Sequence, residues 1–411
     1  MIKLYKNGRI LTPNFDFIDG QILISGEKIF SITPNDSSLE KVPETIIDLQ
    51  GRLVFPGLIN AHDHLYYTFW PKFETTPFQN WYEWEKAFKE STLFKRKQAL
   101  SIADLYALGM YRNLFSGVCL IADHFPREVT MNFMGQPMIT LLEYYALAHS
   151  VSSRSLGWGD GIKVEFKQTR GLFPFLLHCS EGSDREITEE VETLNRLGAL
   201  AENTVLIGGI GFSDTDIELI AAKKASCIWC HVSSQQMFGK GPPIGKMLDA
   251  GIPLAIGTEC SASGSMNFFD ELRAIRAFSQ AHLNDRLQPS DILRMATSVA
   301  AGVLRLQKTH GSIEPGKIAN FLIFENSRND PFESFMQLNP ADISLMVHRG
   351  MMVYGDERFR SFCSADFSQF SEILVSGLPK LVLGKPLHLL ERIEYKLGEP
   401  VKFPFMPIAE A

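Results

Sequence analysis

Two histidines one residue apart, His62 and His64, close the apolar run Leu53-Val54-Phe55-Pro56-Gly57-Leu58-Ile59-Asn60-Ala61. On a β-strand, residues i and i+2 point to the same face, so both imidazoles can approach one metal ion from one side. In a chain with ten histidines such a pair also arises by chance, and two loop histidines at the surface are the plainer alternative. The surrounding residues argue for a site: Pro-Gly punctuates an apolar strand, and Asn-Ala-His-Asp-His stands where that strand stops. Other strand-like runs end in the same way, in His124, His178, His231 and Glu259. Three neutral imidazoles with a carboxylate or water make a tetrahedral or five-coordinate site suited to zinc or a similar first-row metal.

These side chains need a frame that brings distant strand ends together. From residue 53 to about 310, apolar strand-like runs alternate with helical stretches, the pattern of parallel β/α units. After the first run, Leu100 to Phe115 has helical spacing and stops at Ser116-Gly117. Strands two and three are then 118–124 and 137–142. Strand five is 174–178, and 205–209, 227–231 and 252–257 are strands six, seven and eight. Strand four is confined to the Gly-rich interval 151–170, which is short for a full unit and points to a distorted barrel there. In an eight-stranded β/α barrel the active site sits at the C-terminal ends of the strands, where His62, His64, His124, His178, His231 and Glu259 all fall. One such histidine is ordinarily a satisfied structural residue; several at one end form a candidate centre. The aromatic segment containing Phe69, Trp70, Trp81, Tyr82 and Trp84 either covers this pocket, with Trp70 as a substrate contact, or packs outside it.

The expected fold is thus α/β, a (β/α)8 TIM barrel at 53–310, with both chain ends in a second unit. Residues 1–52 and 311–411 both read as short strands with Gly-containing turns, the grammar of an antiparallel sheet. With 411 residues and 45% hydrophobic content the chain can bury a large core. A net charge of -7 without a basic patch or tail argues against nucleic-acid or anionic-membrane partners and for a small-molecule substrate. The start, Met1-Ile2-Lys3-Leu4-Tyr5, lacks a long apolar signal region and no apolar run has transmembrane length, so a cytoplasmic location is expected. The six scattered cysteines then read as free thiols, and the lone Cys227-x-x-Cys230 as buried thiols within a strand.

The Pro-Gly-x-x-x-x-His-x-His wording at 56–64 and Gly311-Ser-Ile-Glu-Pro-Gly-Lys317 resemble the amidohydrolase superfamily from end to end. The nearest branch is that of cytosine and guanine deaminases and triazine chlorohydrolases. This resemblance implies that residues 1–52 and 311–411 fold together into one small β-sandwich beside the barrel. It implies one divalent ion, most plausibly zinc with iron or manganese as alternatives, on His62, His64 and His178, with Glu259 as ligand, base or both. The ion would lower the pKa of bound water from 15.7 toward about 7 and generate hydroxide in neutral solution. Glu181, three residues after His178, matches the His-x-x-Glu of the deaminases, where the carboxylate shuttles a proton; a carboxylate stabilised by the first turn of a helix is its structural alternative. His231 to Gly239 resembles a pocket-lining segment of the family, and homodimers are frequent among its members.

Two positions depart from that pattern. The family carries a histidine at the end of strand six that polarises the substrate, and this chain has Gly208-Gly209. Losing one such donor typically costs about 10² to 10³ in turnover, or about 3–4 kcal/mol. Strand eight ordinarily ends Gly-Thr-Asp-Ser, and here reads Gly257-Thr258-Glu259-Cys260; the added methylene carries the carboxylate roughly 1.5 Å further, against a tolerance of about 0.5 Å. His124 or His231 is available to replace the missing imidazole at the substrate. The leading function is therefore a metal-dependent hydrolase of non-peptide carbon-nitrogen bonds, by deamination or a dechlorination-like displacement on a small heterocycle. A catalytically impaired barrel that binds without turnover is the alternative, and a two-metal branch with a carboxylated lysine, Lys163 or Lys167, is a second.

Overall fold

The computed structural model describes residues 1–73, 77–363 and 367–411. The N-terminal strands are β1 (Ile2–Leu11), β2 (Phe17–Ser25), β3 (Lys28–Pro34), β4 (Thr45–Asp48) and β5 (Leu53–Pro56). Eight further strands follow in the middle of the chain. They are β6 (Leu58–Asp63), β7 (Val118–Asp123), β8 (Thr140–Leu141), β9 (Ala146–Ser150), β10 (Phe175–Cys179), β11 (Thr204–Gly208), β12 (Ser226–Trp229) and β13 (Leu254–Ile256). The C-terminal strands are β14 (Phe321–Phe324), β15 (Ile343–His348), β16 (Met351–Asp356), β17 (Phe370–Val375), β18 (Leu378–Leu383) and β19 (Ile408–Glu410).

The two chain ends meet in one 11-stranded sheet, ordered β19-β17-β18-β16-β15-β14-β5-β1-β2-β3 with β4 beside β1. The join is the antiparallel pairing of β5 with β14, Val54 opposite Ile323. The apolar stretch from Leu53 to His64 is therefore two strands. It divides at Gly57, where a Cβ would stand 2.3 Å from Cys119 Sγ, so only glycine lets the chain step from the outer sheet into the barrel.

The middle strands form parallel sheets β6-β7-β8 and β9-β10-β11-β12-β13. Nearly every residue of these strands is buried, as expected of parallel strands covered on both faces. The end of β13 returns to β6: Thr258 N–H donates to His62 O at 2.8 Å, and His64 N–H to Glu259 O at 2.6 Å. Gly257 permits that seam, since a Cβ there would lie 2.7 Å from His62 Cβ.

The fourth strand is β9, just before the interval in which the sequence placed it. Residues 151–170 hold a loop and the helix Ile162–Gln168 instead. Only Leu142–Tyr145 separate β8 from β9, too few for a crossover helix. One bent stretch of chain thus pairs with β7 through β8 and with β10 through β9, so the irregularity lies at 142–145 and not in the interval 151–170 where the sequence reading expected it. Lys163 and Lys167 are exposed on the helix after it and reach no strand end.

The helix Ile102–Leu114 begins with a reciprocal cap between Ser101 and Asp104 and packs behind β7. The helix Trp81–Glu90 is capped by Asn80, which also pairs with Gly182 beyond β10, and Trp81 N–H donates to Glu181 O at 3.1 Å. That backbone contact fixes an aromatic helix over the end of β10. All six cysteines are free, and Cys227 and Cys230 are buried. No described helix is long and apolar enough to cross a membrane.

Candidate metal centre

Strand alternation sorts the three polar residues at the end of β6. His62 and His64 face one side, and Asp63 faces the other. Asp63 is fully buried and receives the Arg112 guanidinium at 2.8 and 3.1 Å, with Asn113 Nδ2 donating at 2.8 Å. Asn60 Nδ2 links Asn113 and Thr258 at 2.8 Å each, so the network ties β6 to the helix behind it and to the end of β13. Asp123, at the end of β7, accepts from Leu65 N–H at 3.0 Å, Tyr106 Oη at 2.7 Å and Thr130 Oγ1 at 2.9 Å. These bonds hold the turn that follows His64.

On the other side, three imidazoles from β6 and β10 converge. His64 Nε2 lies 3.3 Å from His178 Nε2. The Glu259 carboxylate spans the pair on β6, 3.0 Å from His62 Nε2 and 3.2 Å from His64 Nε2. Glu259 has a left-handed backbone, φ 60°, uncommon for a residue with a side chain. This sharp exit from β13 accompanies a carboxylate that meets both imidazoles despite its extra methylene. His62 Nε2 and Glu259 Oε2 are buried and, although close, have no hydrogen-bond partner in proper alignment. Three ring nitrogens and a carboxylate that approach one another without satisfying one another form a donor set that a divalent cation fits.

Electrostatics supports neutral ligands around an anionic carboxylate. Burial lowers His62 and His178 to about 4, so both imidazoles have free lone pairs at neutral pH. Burial also opposes charge on His64, but its contact with Glu259 outweighs it and raises that ring. For Glu259, burial acts upward, and His62 and His178 outweigh it to hold the carboxyl well below its usual range.

Glu181 is its counterpart. Its Oε2 lies 2.8 Å from His178 Nδ1, and burial, reinforced by the negative Glu259, pushes it well above the usual carboxylate range. Its side chain occupies the ground beside Gly208: a Cβ on that glycine would lie 2.3 Å from Glu181 Cγ. The ground beside Gly208 is thus filled by the Glu181 carboxyl group, from the turn that follows the neighbouring strand. Ser180 N–H donates to Glu190 Oε2 at 2.6 Å, anchoring the turn that carries Glu181.

His64, His178, Glu181 and Glu259 floor a cavity of ≈ 50 Å³ walled by Tyr67, Trp81, Trp84, Trp158 and His149. His149 is the site residue that the sequence reading missed. It stands near the end of β9, and the run Ala146-Leu147-Ala148-His149 had the same apolar-then-histidine form as the other strand ends. Burial keeps its imidazole neutral, and its ring packs 4.6 Å from Trp81 and 4.7 Å from Trp158. A larger cavity of ≈ 460 Å³ lies away from the strand-end histidine cluster; Thr140, Phe173, Leu306 and His310 are among the residues that line it.

Three residues expected at the substrate are placed elsewhere. His124 is buried within the histidine cluster and does not line the cavity. His231 opens the helix His231–Phe238 and packs 4.8 Å from Phe278 and 5.2 Å from Trp229, away from the cavity because strand seven ends two residues earlier. Of the segment from His231 to Gly239, only Met237 reaches the wall. Trp70 is partly buried against the core, and Trp81 and Trp84 hold the aromatic wall instead.

A family model described as the amidohydrolase family matches residues 177–353, a span that includes His178, Glu181 and Glu259. The chain is similar to a 5-methylthioadenosine/S-adenosylhomocysteine deaminase of Pyrococcus furiosus, 26% identical over 383 residues, 79% of this chain and 87% of that protein. It is also similar to a 5'-deoxyadenosine deaminase of Methanothermobacter thermautotrophicus, 23% identical over 392 residues, 82% of this chain and 90% of that protein. Among solved structures, a zinc-bound adenosine deaminase from Xanthomonas campestris superposes with TM-score 0.73 at 16% identity, over 96% of this chain and 97% of the other. A zinc complex of an atrazine chlorohydrolase from Arthrobacter aurescens gives 0.72 at 18% identity, over 96% and 100%. These superpositions give the fold as the (β/α)8 barrel. The family model covers residues 177–353 of the 411, and the superpositions show that the chain shares its fold with these proteins.

Proposed function

We propose that this protein is a metal-dependent hydrolase of carbon-nitrogen bonds other than peptides, acting as a deaminase on a small heterocycle. His62, His64, His178 and Glu259 are the residues that would hold the ion, and a set of three nitrogens and one oxygen suits zinc. When bound there, such an ion supplies a Lewis acid and brings the pKa of a coordinated water from 15.7 toward about 7.

The observation that carries this reading is the convergence of His62, His64, His178 and Glu259, with Glu181 Oε2 set 2.8 Å from His178 Nδ1. Two carboxyl groups in one site are pushed in opposite directions, one toward the neutral form and one toward the charged form. Such a split assigns acid and base roles. Glu181 holds its proton at the cavity floor, 2.8 Å from His178 Nδ1. From there it donates to a ring nitrogen or to the departing amine, and it recovers a proton from the attacking water.

The walls fit an aromatic ring. Trp81, Trp84, Trp158 and Tyr67 offer flat apolar faces, and His149 offers one neutral imidazole among them. A cavity of ≈ 50 Å³ is smaller than the roughly 150 Å³ that accepts a benzene molecule, so a ring enters only as this wall parts.

The test is ammonia release from a panel of aminated pyrimidines, triazines and purines, with chloride release from chlorotriazines measured in parallel, using protein of known metal content. Release of ammonia from at least one member of the panel is the expected result. Protein that carries one equivalent of metal and turns over none of them refutes the reading in favour of binding without catalysis.

A further inference from the structure

His124 has no part in the function just proposed, yet it is built into the same cluster. It stands immediately after β7 and is buried. Its ring centre is 5.3 Å from that of His62, 5.6 Å from His64 and 4.8 Å from His178. The other three separations are 4.8, 4.9 and 5.4 Å. One ring nitrogen from each of the four lies within 4.8 Å of every other.

An ion about 2.0–2.1 Å from each ligating nitrogen sits about 3.2 Å from each ring centre, and four rings placed tetrahedrally around it have centres about 5.2 Å apart. The six separations bracket that value. Four imidazoles packed only to fill space have no reason to adopt nearly equal spacing.

The hydrogen bonding of His124 points the same way. Its Nε2 lies 3.1 Å from Ala148 O. A carbonyl only accepts, so Nε2 carries the proton and Nδ1 holds the lone pair. That Nδ1 is buried and has no hydrogen-bond partner. An acceptor stranded in this way loses its hydration without recompense, a penalty that a cation would remove. A backbone carbonyl on the far nitrogen is also the usual device for fixing the tautomer of a histidine ligand.

We infer that His124, through Nδ1, is a fourth imidazole ligand of the ion, contributed by the second barrel strand; this rests on the metal-dependent reading above. When Glu259 also binds, the tetrahedral shell of four imidazoles opens to five-coordination, and the substrate side of the shell is reduced to what the cavity can reach.

The experiment uses the full chain, stripped with chelator and reloaded with Co²⁺ for NMR or with Zn²⁺ for competition against a chromophoric chelator. Wild-type protein should give four solvent-exchangeable, hyperfine-shifted imidazole N–H signals, and His124→Asn three. The Zn²⁺ dissociation constant should rise in that variant by more than about 100-fold, beyond the 10–100-fold expected when only a hydrogen-bond partner of a ligand is lost. Three signals in the wild type, or a loss confined to that smaller range with unchanged signals, overturns the inference and leaves His124 as a prop for β9. Should His124→Asn and His124→Gln both fail to fold, the wild-type signal count decides alone. Wild-type protein that takes up neither ion overturns the metal-dependent reading, a result distinct from a wild type that binds metal through three imidazoles.

Discussion

The two faces of β6 make an instructive pair. On one, Asp63 meets Arg112 and Asn113, and its carboxylate oxygens are satisfied within about 3 Å. On the other, one residue away in each direction, His62 and His64 crowd against Glu259 and His178 while His62 Nε2 and Glu259 Oε2 remain without proper partners. Both clusters are buried and polar. The closed one is structural, because its members complete one another; the open one has donors for something that is not protein. Burial and charge alone do not separate architecture from chemistry here, whereas completeness of pairing does.

Four changes break or sharpen that contrast. His178→Ala removes a nitrogen from the open face. It should abolish metal uptake and turnover, read by elemental analysis and ammonia release, while the fold persists; full metal content in that variant would remove His178 from the ligand set. Glu181→Gln should keep the metal and lose about 10² to 10⁴ in turnover, as expected when a positioned proton donor is lost. The same role requires wild-type turnover to fall as pH rises through the raised pKa of Glu181, because the neutral form is the donor. On the closed face, Arg112→Ala leaves Asp63 charged and unpaired and should cost about 3–5 kcal/mol in urea unfolding. A stable Arg112→Ala protein would mean that the two faces differ less than their bonding indicates.

The smallest effect concerns Glu190, beneath the turn that carries Glu181. Burial raises its carboxyl to about 8, above the 4.5 of an exposed glutamate. The folded state therefore binds the extra proton between those values. Stability is fully present below about 4.5 and declines as pH rises toward 8. Glu190→Gln, which keeps an oxygen for Ser180 N–H, should flatten that decline and raise the melting temperature at pH 8 more than at pH 5. An unchanged pH profile of melting would place the titration elsewhere.

Much of this was readable in the chain. The Pro-Gly strand with His62 and His64, and His178 with Glu181 after the fifth strand, carry their meaning in local spacing, since strand alternation and a three-residue step need no tertiary knowledge. His149 stayed hidden because a strand of five residues follows β8 without a helix between them, against the β/α rhythm used to find its neighbours. His231 misled for the converse reason: the chain turns into a helix at that residue, so the ring leaves the strand-end face. The Asp63–Arg112 pair joins residues 49 positions apart and depends on how a helix lies behind a sheet, which spacing along the chain does not encode.

Gly208 bears on how this site could change over time. Because the Glu181 side chain lies against that glycine, placing a histidine at 208 would set two bulky groups in one volume. Gly208→His alone should therefore displace the proton carrier before it gains a usable imidazole, and should give a protein poorer than the present one. A chemist wishing to seat an imidazole there must alter residues 181 and 208 together.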